Sequence, residues 1–484
     1  MKKSFRLKKF YLALLSIFMF IIVFNGNNVQ AMELDKNNNA KMIVLFNENH
    51  IDTNVLSLIE NNGGKVESTL PKIGGIEVNC NTNLIPKIKS YNSVQSIAPN
   101  HNIQIPKEKT IKFKEPLIRS LKSDKTSEVH NQTSDLYDLY QWDIKRVTNN
   151  GNSFQLGTGN HDVVIAVLDS GIDKTHPDLK NNLLGGESFI PKNFNGDEKE
   201  TGDRKDIEDR LGHGTYISGS IAGNGRIKGV APNIGFKSYR VFDSKGDTNA
   251  TIMSSAIIKA TDDGANVINL SMSGYDLKGK CYWVDPDTEI KHDLGDDMAE
   301  YELYKRAIEY ALDKNVTVVT AAGNDGIDCS DSQDIIEFLN NRNKKDGLIY
   351  EGVAYEIPGS IDGVINVSAT DKEDLLSTYS NYGKDFVDIA APGGDYSETE
   401  DMGNNNMCLS TSIGGQYMFE AGTSIAAPKV SAIAGLLLCQ NKNLTPTEIA
   451  QRIYETSDEL DRGTSKEYYG AGIPNAYNAL DPNK

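Results

Sequence analysis

The sequence predicts an α/β fold, a parallel sheet sandwiched by helices, preceded by a small α+β unit. Three observations carry this. Apolar, β-branched runs recur at residues 163–168, 236–241, 267–270, 316–320 and 364–368. They are continuous rather than alternating, so both faces of each strand are expected to be covered. Helical patterns at 251–262 and 302–313 fall between them, and a long apolar helix is expected at 425–439. Finally, residues 106–137 are rich in Lys, Glu, Ser, Thr and Asp without periodicity, which separates this region from what precedes it.

The segment ahead of that break supplies the α+β unit. Strand-like runs at 42–48, 73–78 and 94–97 flank helix-like stretches at 54–61 and 84–90. The first helix ends at Gly63-Gly64. Residues 32–105 thus form one compact unit, 106–137 an exposed linker open to nicking, and 138–484 the main domain. Polar stretches at 276–300 and 327–352 interrupt the main domain and read as surface loop insertions.

The N-terminus has its own logic. Lys2, Lys3, Arg6, Lys8 and Lys9 precede an apolar run at 10–24, and Val29-Gln30-Ala31 ends in a small residue. This is the layout of a secretory signal over residues 1–31, too short in its apolar part for a spanning helix. Secretion with no stable membrane anchor after signal cleavage is the expectation.

Composition narrows the function. Hydrophobic residues make up 38% and charged residues 24%, enough for a large core. Lys+Arg total 50 against 67 Asp+Glu, a formal charge of −17. That field disfavours nucleic acid and anionic surfaces, and attracts basic peptides or Ca2+. No HExxH cluster supports metal-dependent hydrolysis. The five cysteines match no zinc or CxxC spacing. Cys281 and Cys329 both lie in loop-rich stretches and are the expected disulfide pair, while Cys439 is expected to be a buried thiol.

Three motifs carry chemistry. Asp169 follows the first strand of the main domain, at the end where such sheets place function. His213 stands between Gly212 and Gly214-Thr215 at the start of a helix. Ser424 follows Gly422-Thr423 at the N-terminus of the long apolar helix, where backbone N–H groups and the helix dipole stabilise an oxyanion. Each alone reads equally as a cap or turn residue. In the order Asp, His, Ser they form the parts of a nucleophilic triad. Asn324, in Ala322-Gly323-Asn324-Asp325 after another strand, adds a side-chain donor for a developing oxyanion.

The chain resembles the subtilase family of serine proteases. The resemblance rests on Val167-Leu168-Asp169-Ser170-Gly171-Ile172-Asp173, Gly212-His213-Gly214-Thr215, Asn269-Leu270-Ser271-Met272-Ser273-Gly274, Ala322-Gly323-Asn324 and Gly422-Thr423-Ser424-Ile425-Ala426-Ala427-Pro428. It spans about 140 to 480. It implies that Ser424 is the nucleophile, His213 its base and acid, Asp169 the group that orients the imidazole, and Asn324 with the Ser424 N–H the oxyanion hole. It also implies that the 32–105 unit is a propeptide, acting as chaperone and transient inhibitor. Ser271, Met272, Ser273 and Gly274 would pair with the substrate, and with Gly323 wall the P1 pocket. Ser273 stands where the family usually has Gly. The stretch Glu356-Ile357-Pro358-Gly359 puts Glu356 near the pocket floor, with Asp325 a second acid; the two would favour Arg or Lys at P1. Asp178 matches a Ca2+ ligand, and the loop 224–227 would add carbonyl oxygens.

A narrower resemblance, from Tyr140-Gln141-Trp142-Asp143-Ile144-Lys145, the charged linker and the polar insertions, is to lantibiotic leader peptidases. The implied substrate is a precursor peptide cut after a basic residue. A general secreted subtilisin-like protease is the alternative. Arg119-Ser120 in the linker, with Leu117-Ile118 upstream, is the expected self-processing junction.

Overall fold

The structure is a computed structural model that describes residues 39–105, 110–114, 135–284, 288–396, 406–460 and 466–484. The signal segment and Arg119-Ser120 lie outside the described residues.

At the centre is a seven-stranded sheet among the described residues, in the order Ile389–Pro392, Ile365–Thr370, Thr317–Ala321, Val267–Leu270, Val164–Asp169, Gly235–Arg240 and Leu183–Ser188. Every pairing is parallel. The five expected strands form its middle, within a residue or two of their expected ends. The two edge strands, Leu183–Ser188 and Ile389–Pro392, lack a long apolar run, because an edge has one neighbour and the first of them stays partly exposed.

Helices cover both faces. Thr423–Gln440 runs through the largest core cluster, packed against Ile165, Val267 and Val367. It is apolar on all sides because it has no solvent side: residues Thr423 to Leu438 are buried. Length and composition alone would let this helix cross a membrane; its surroundings make it the core of the fold. On the other face lie Ala250–Asp262, capped by the Asn249 side chain on the Ile252 N–H at 3.0 Å, and Met298–Leu312.

The N-terminal unit is an antiparallel sheet in the order Lys65–Leu70, Gly75–Asn81, Asn39–Phe46, Val94–Pro99. The strand Lys65–Leu70 was not read from the sequence, since its outer positions are Lys, Glu and Thr and only Leu70 is fully buried. Val44, Phe46, Val55, Ile59, Ile76 and Val78 fill its own core. The opposite face of the sheet, Ile43, Leu45, Leu70 and Ile73, joins the main-domain cluster around Met253 and Leu303. Arg306 donates to the Ile73 carbonyl at 2.8 Å, and Asn100 bridges Glu77 and Thr251 at 2.9 Å each.

Three expectations need correction. The linker is not without structure throughout: Thr110–Lys112 pairs antiparallel with Gln416–Glu420, Ile111 facing Phe419. The polar stretch 276–300 is not a loop. Gly274–Val284, Lys291–Gly295 and Leu348–Ile357 make a three-stranded antiparallel sheet. The stretch 327–352 contributes the helix Ser332–Asn343, which packs on that sheet through Ile335, Ile336 and Leu339 against Tyr275, Leu277 and Tyr350.

Candidate active site

The site lies at the carboxyl ends of the parallel strands, where residues leave the sheet together. Asp169 ends its strand and is 0% exposed. His213 opens the helix His213–Ala222, and its Nδ1 lies 2.8 Å from Asp169 Oδ1. Gly212, at φ 102°, makes the turn that brings the ring to this position. Gly214 has no room for a Cβ, which would meet the Gly171 carbonyl at 2.3 Å. The helix therefore rests on the Asp169 loop backbone to backbone.

A residue that sequence reasoning passed over locks these two elements. Asp209 is buried and accepts from Ser170 Oγ at 2.8 Å and from the Leu211 and Gly212 N–H groups at 3.0 and 2.8 Å through Oδ1. Its Oδ2 takes the Thr215 N–H at 2.9 Å and the Thr215 hydroxyl at 2.6 Å. Ser170 Oγ in turn accepts from the Gly214 N–H at 2.9 Å. An acid four residues before a helix-opening His, with Gly between, was the available signal.

Ser424 is the second residue of the helix Thr423–Gln440 and is 2% exposed. A hydrogen-bonded chain positions it. Ser431 Oγ donates to Asn269 Oδ1 at 2.8 Å, Asn269 Nδ2 to Ser271 Oγ at 2.8 Å, and Ser271 Oγ to the Ser424 carbonyl at 3.0 Å. Ser271 thus ties a strand end to the Ser424 helix. The Asn324 carbonyl oxygen accepts from the Thr423 N–H at 2.9 Å and the Thr423 hydroxyl at 2.8 Å. This fixes the orientation of the amide, with its oxygen on Thr423. Gly323, at φ 102°, would set a Cβ 2.5 Å from Ser273 Oγ and 2.4 Å from Asn381 Nδ2.

The expected pocket acids differ in kind. Glu356 is 0% exposed and sits opposite Tyr275 across the strand pair that Gly274 opens. Its oxygens accept no well-formed hydrogen bond and have no ion-pair partner among the described residues; Ser273 and the Gly359 N–H are its polar neighbours. Burial pushes its carboxyl well above the usual range, the nearby Asp325 adding to the shift. Asp325 is already engaged, accepting from the Tyr275 hydroxyl at 2.7 Å with Arg342 at 4.0 Å. Gly274 joins this wall, whereas Met272 is buried in the core cluster beside the N-terminal unit.

The remaining expectations fare differently. Asp178 Oδ2 accepts from the Ile227 N–H at 3.0 Å and the Tyr417 hydroxyl at 3.1 Å, and Gly225 packs against its other oxygen. One N–H of the loop and the Tyr417 hydroxyl thus share Asp178 Oδ2. Cys281 and Cys329 are both free thiols. They share a cluster, but Cys281 pairs opposite Tyr350 within a strand while the Cys329 N–H binds the Tyr382 carbonyl of a separate turn. Cys439 is half-buried rather than buried. The motif at 140–145 has a structural role: Gln141 brackets Lys228 through its side-chain amide, and Asp143 pairs with Lys429 Nζ at 2.9 Å, both ions buried.

Residues 160–472 match the model described as the Subtilase family of peptidase S8. This chain is a subtilase. Among curated relatives, the epidermin leader peptide-processing serine protease EpiP of Staphylococcus epidermidis is 34% identical over 78% of this chain and 83% of its own length. The nisin leader peptide-processing serine protease NisP of Lactococcus lactis is 34% identical over 72% of this chain and 50% of its own. The solved structure of EpiP from Staphylococcus aureus covers 92% of this subtilase and 98% of itself, with a TM-score of 0.73 at 31% identity. The family membership makes the chain a serine protease of subtilisin-like fold.

Proposed function

We propose that this subtilase is an exported endopeptidase that removes the leader of a lantibiotic-type precursor peptide after a basic residue. Ser424 Oγ attacks the scissile carbonyl while His213 Nε2 takes its proton. The tetrahedral oxyanion is held by the Ser424 N–H and the Asn324 amide. The C–N bond then breaks as His213 returns the proton to the leaving amine. Water repeats the sequence on the acyl-enzyme, restoring Ser424. Asp169 keeps Nδ1 protonated and stabilises the imidazolium. The 2.8 Å Nδ1–Oδ1 contact, buried at the strand ends, is the observation that supports these roles.

The substrate preference rests on Glu356. A buried carboxylate without a counter-ion is a vacancy for a guanidinium or ammonium, which ionises it on arrival. The likeness to two leader-processing proteases supports the precursor-peptide class. The 39–105 unit is read as the transient inhibitor and the basic, apolar N-terminus as the export signal. The test is cleavage of a P1-varied peptide library by the wild type and Ser424→Ala. Cutting by the wild type alone, with Arg or Lys dominant at P1, is expected. Large apolar P1 residues would instead favour a general protease and overturn the role of Glu356.

A further inference from the structure

A second group of acids lies beside the strand pair that carries Glu356, where the N-terminal unit runs onto the main domain. His101 Nδ1 stands 3.0 Å from Glu300 Oε2 and 3.5 Å from Asp297 Oδ1. Asp276 lines the same cavity, is 4% exposed, and its Oδ2 has no hydrogen-bond partner among the described residues. Two buried carboxylates thus face one imidazole, and Asp276 lies close enough to both for their charges to raise its own carboxyl. The other cation on the cavity wall, Arg342, stacks on Phe338 and Tyr275 and faces Asp325.

The cavity is on a peptide path. Immediately after His101, Ile103–Gln104 pairs antiparallel with Asp247–Thr248, and the Ile105 N–H donates to the Gly246 carbonyl at 2.8 Å. Ser273 and Gly274, the strand end expected to hold substrate, form another wall of the same cavity. The tail therefore lies extended along the rim of the site, as a bound peptide would, with one side chain inserted in an acidic hole.

We propose that Asp276, Asp297 and Glu300 form a subsite for one basic side chain of the peptide substrate, upstream of the residues that line up along Gly246–Thr248, and that His101 occupies it until the N-terminal unit leaves. This rests on the propeptide reading above. The charge balance argues for it. The two acids beside His101 raise its imidazole to about 9, so it is held as a cation, and burial raises Asp297 to about 6. Once His101 is withdrawn, Asp297 and Glu300 lose the cation beside them with Asp276 still on the same wall, and Arg or Lys from a substrate restores one. Pairing also favours substrates with a particular spacing between two basic residues, one for each acidic pocket.

The test uses the full chain after it has processed itself. A single Arg is walked from P4 to P8 in an otherwise Ala peptide of fixed P3–P1 sequence, and kcat/KM is compared with the all-Ala peptide. One position should give a rise of about tenfold, the worth of a charged hydrogen bond. Glu300→Gln should bring that ratio close to one, and Asp276→Asn, which touches no backbone, should lower it as well. A flat scan, or a peak that survives both substitutions, overturns the subsite. Failure to cut even a peptide ending at P3 would instead overturn the protease reading on which it depends.

Discussion

The burial of Glu356 costs stability. Its carboxyl is raised in the folded chain, so between the usual carboxylate value and that raised value the folded state holds a proton that the unfolded state has released. Stability is therefore expected to fall as pH rises through this window. Glu356→Gln removes the penalty: its denaturation midpoint should exceed that of the wild type at pH 8, and the gap should close near pH 4. A constant gap across pH would show that Glu356 is not buried alone. The Asp169–His213 contact and the place of Ser424 at the start of its helix were legible because each motif needs specific residues in a fixed order. Asp209 was not, since a carboxylate that accepts from its own loop looks like any turn acid until its donors are known.

Among the elements, the helix Thr423–Gln440 carries the site, and one buried ion pair sets how it meets the start of the main domain. Lys429 and Asp143 are 0% and 1% exposed, and Lys429 also donates to the Ile425 carbonyl at 2.9 Å. Removing one partner leaves the other charged and buried. Lys429→Ala is expected to cost about 3–5 kcal/mol in chemical denaturation, while Lys429→Met with Asp143→Leu should come close to neutral. Equal losses in both would contradict the pair. The central strands were readable because burial on two faces demands continuous apolar sequence. The Gly274–Val284 sheet and the Ser332–Asn343 helix were hidden by the converse. They are half-solvated, and the helix buries only Ile335, Ile336, Leu339 and Asn343, too few to stand out against its polar positions.

Over the whole molecule, the N-terminal unit is built into the main domain's surface as well as onto its own core. Ile43, Leu45 and Ile73 share a cluster with Met253 and Leu303, and Lys72 pairs with Asp262 beside Tyr310. A unit docked this way shields the two helices beneath it, and Ile103–Gln104 and Thr110–Lys112 each pair with a main-domain strand. The composition break near 106 gave no sign of the pairing on either side of it, because two- and three-residue strands leave no pattern. If the unit is a self-removed inhibitor, the Ser424→Ala chain should remain a single inactive species during incubation while the wild type yields a shortened product by mass spectrometry. Equal trimming of both would assign the cut to another protease.

The triad itself is tested most directly by labelling the processed chain with a fluorophosphonate and mapping the modified peptide. A single adduct on Ser424, lost in Ser424→Ala and at least a hundredfold slower in His213→Ala, is the expected result. An adduct on a different residue, or peptide cleavage that persists in Ser424→Ala, would contradict it.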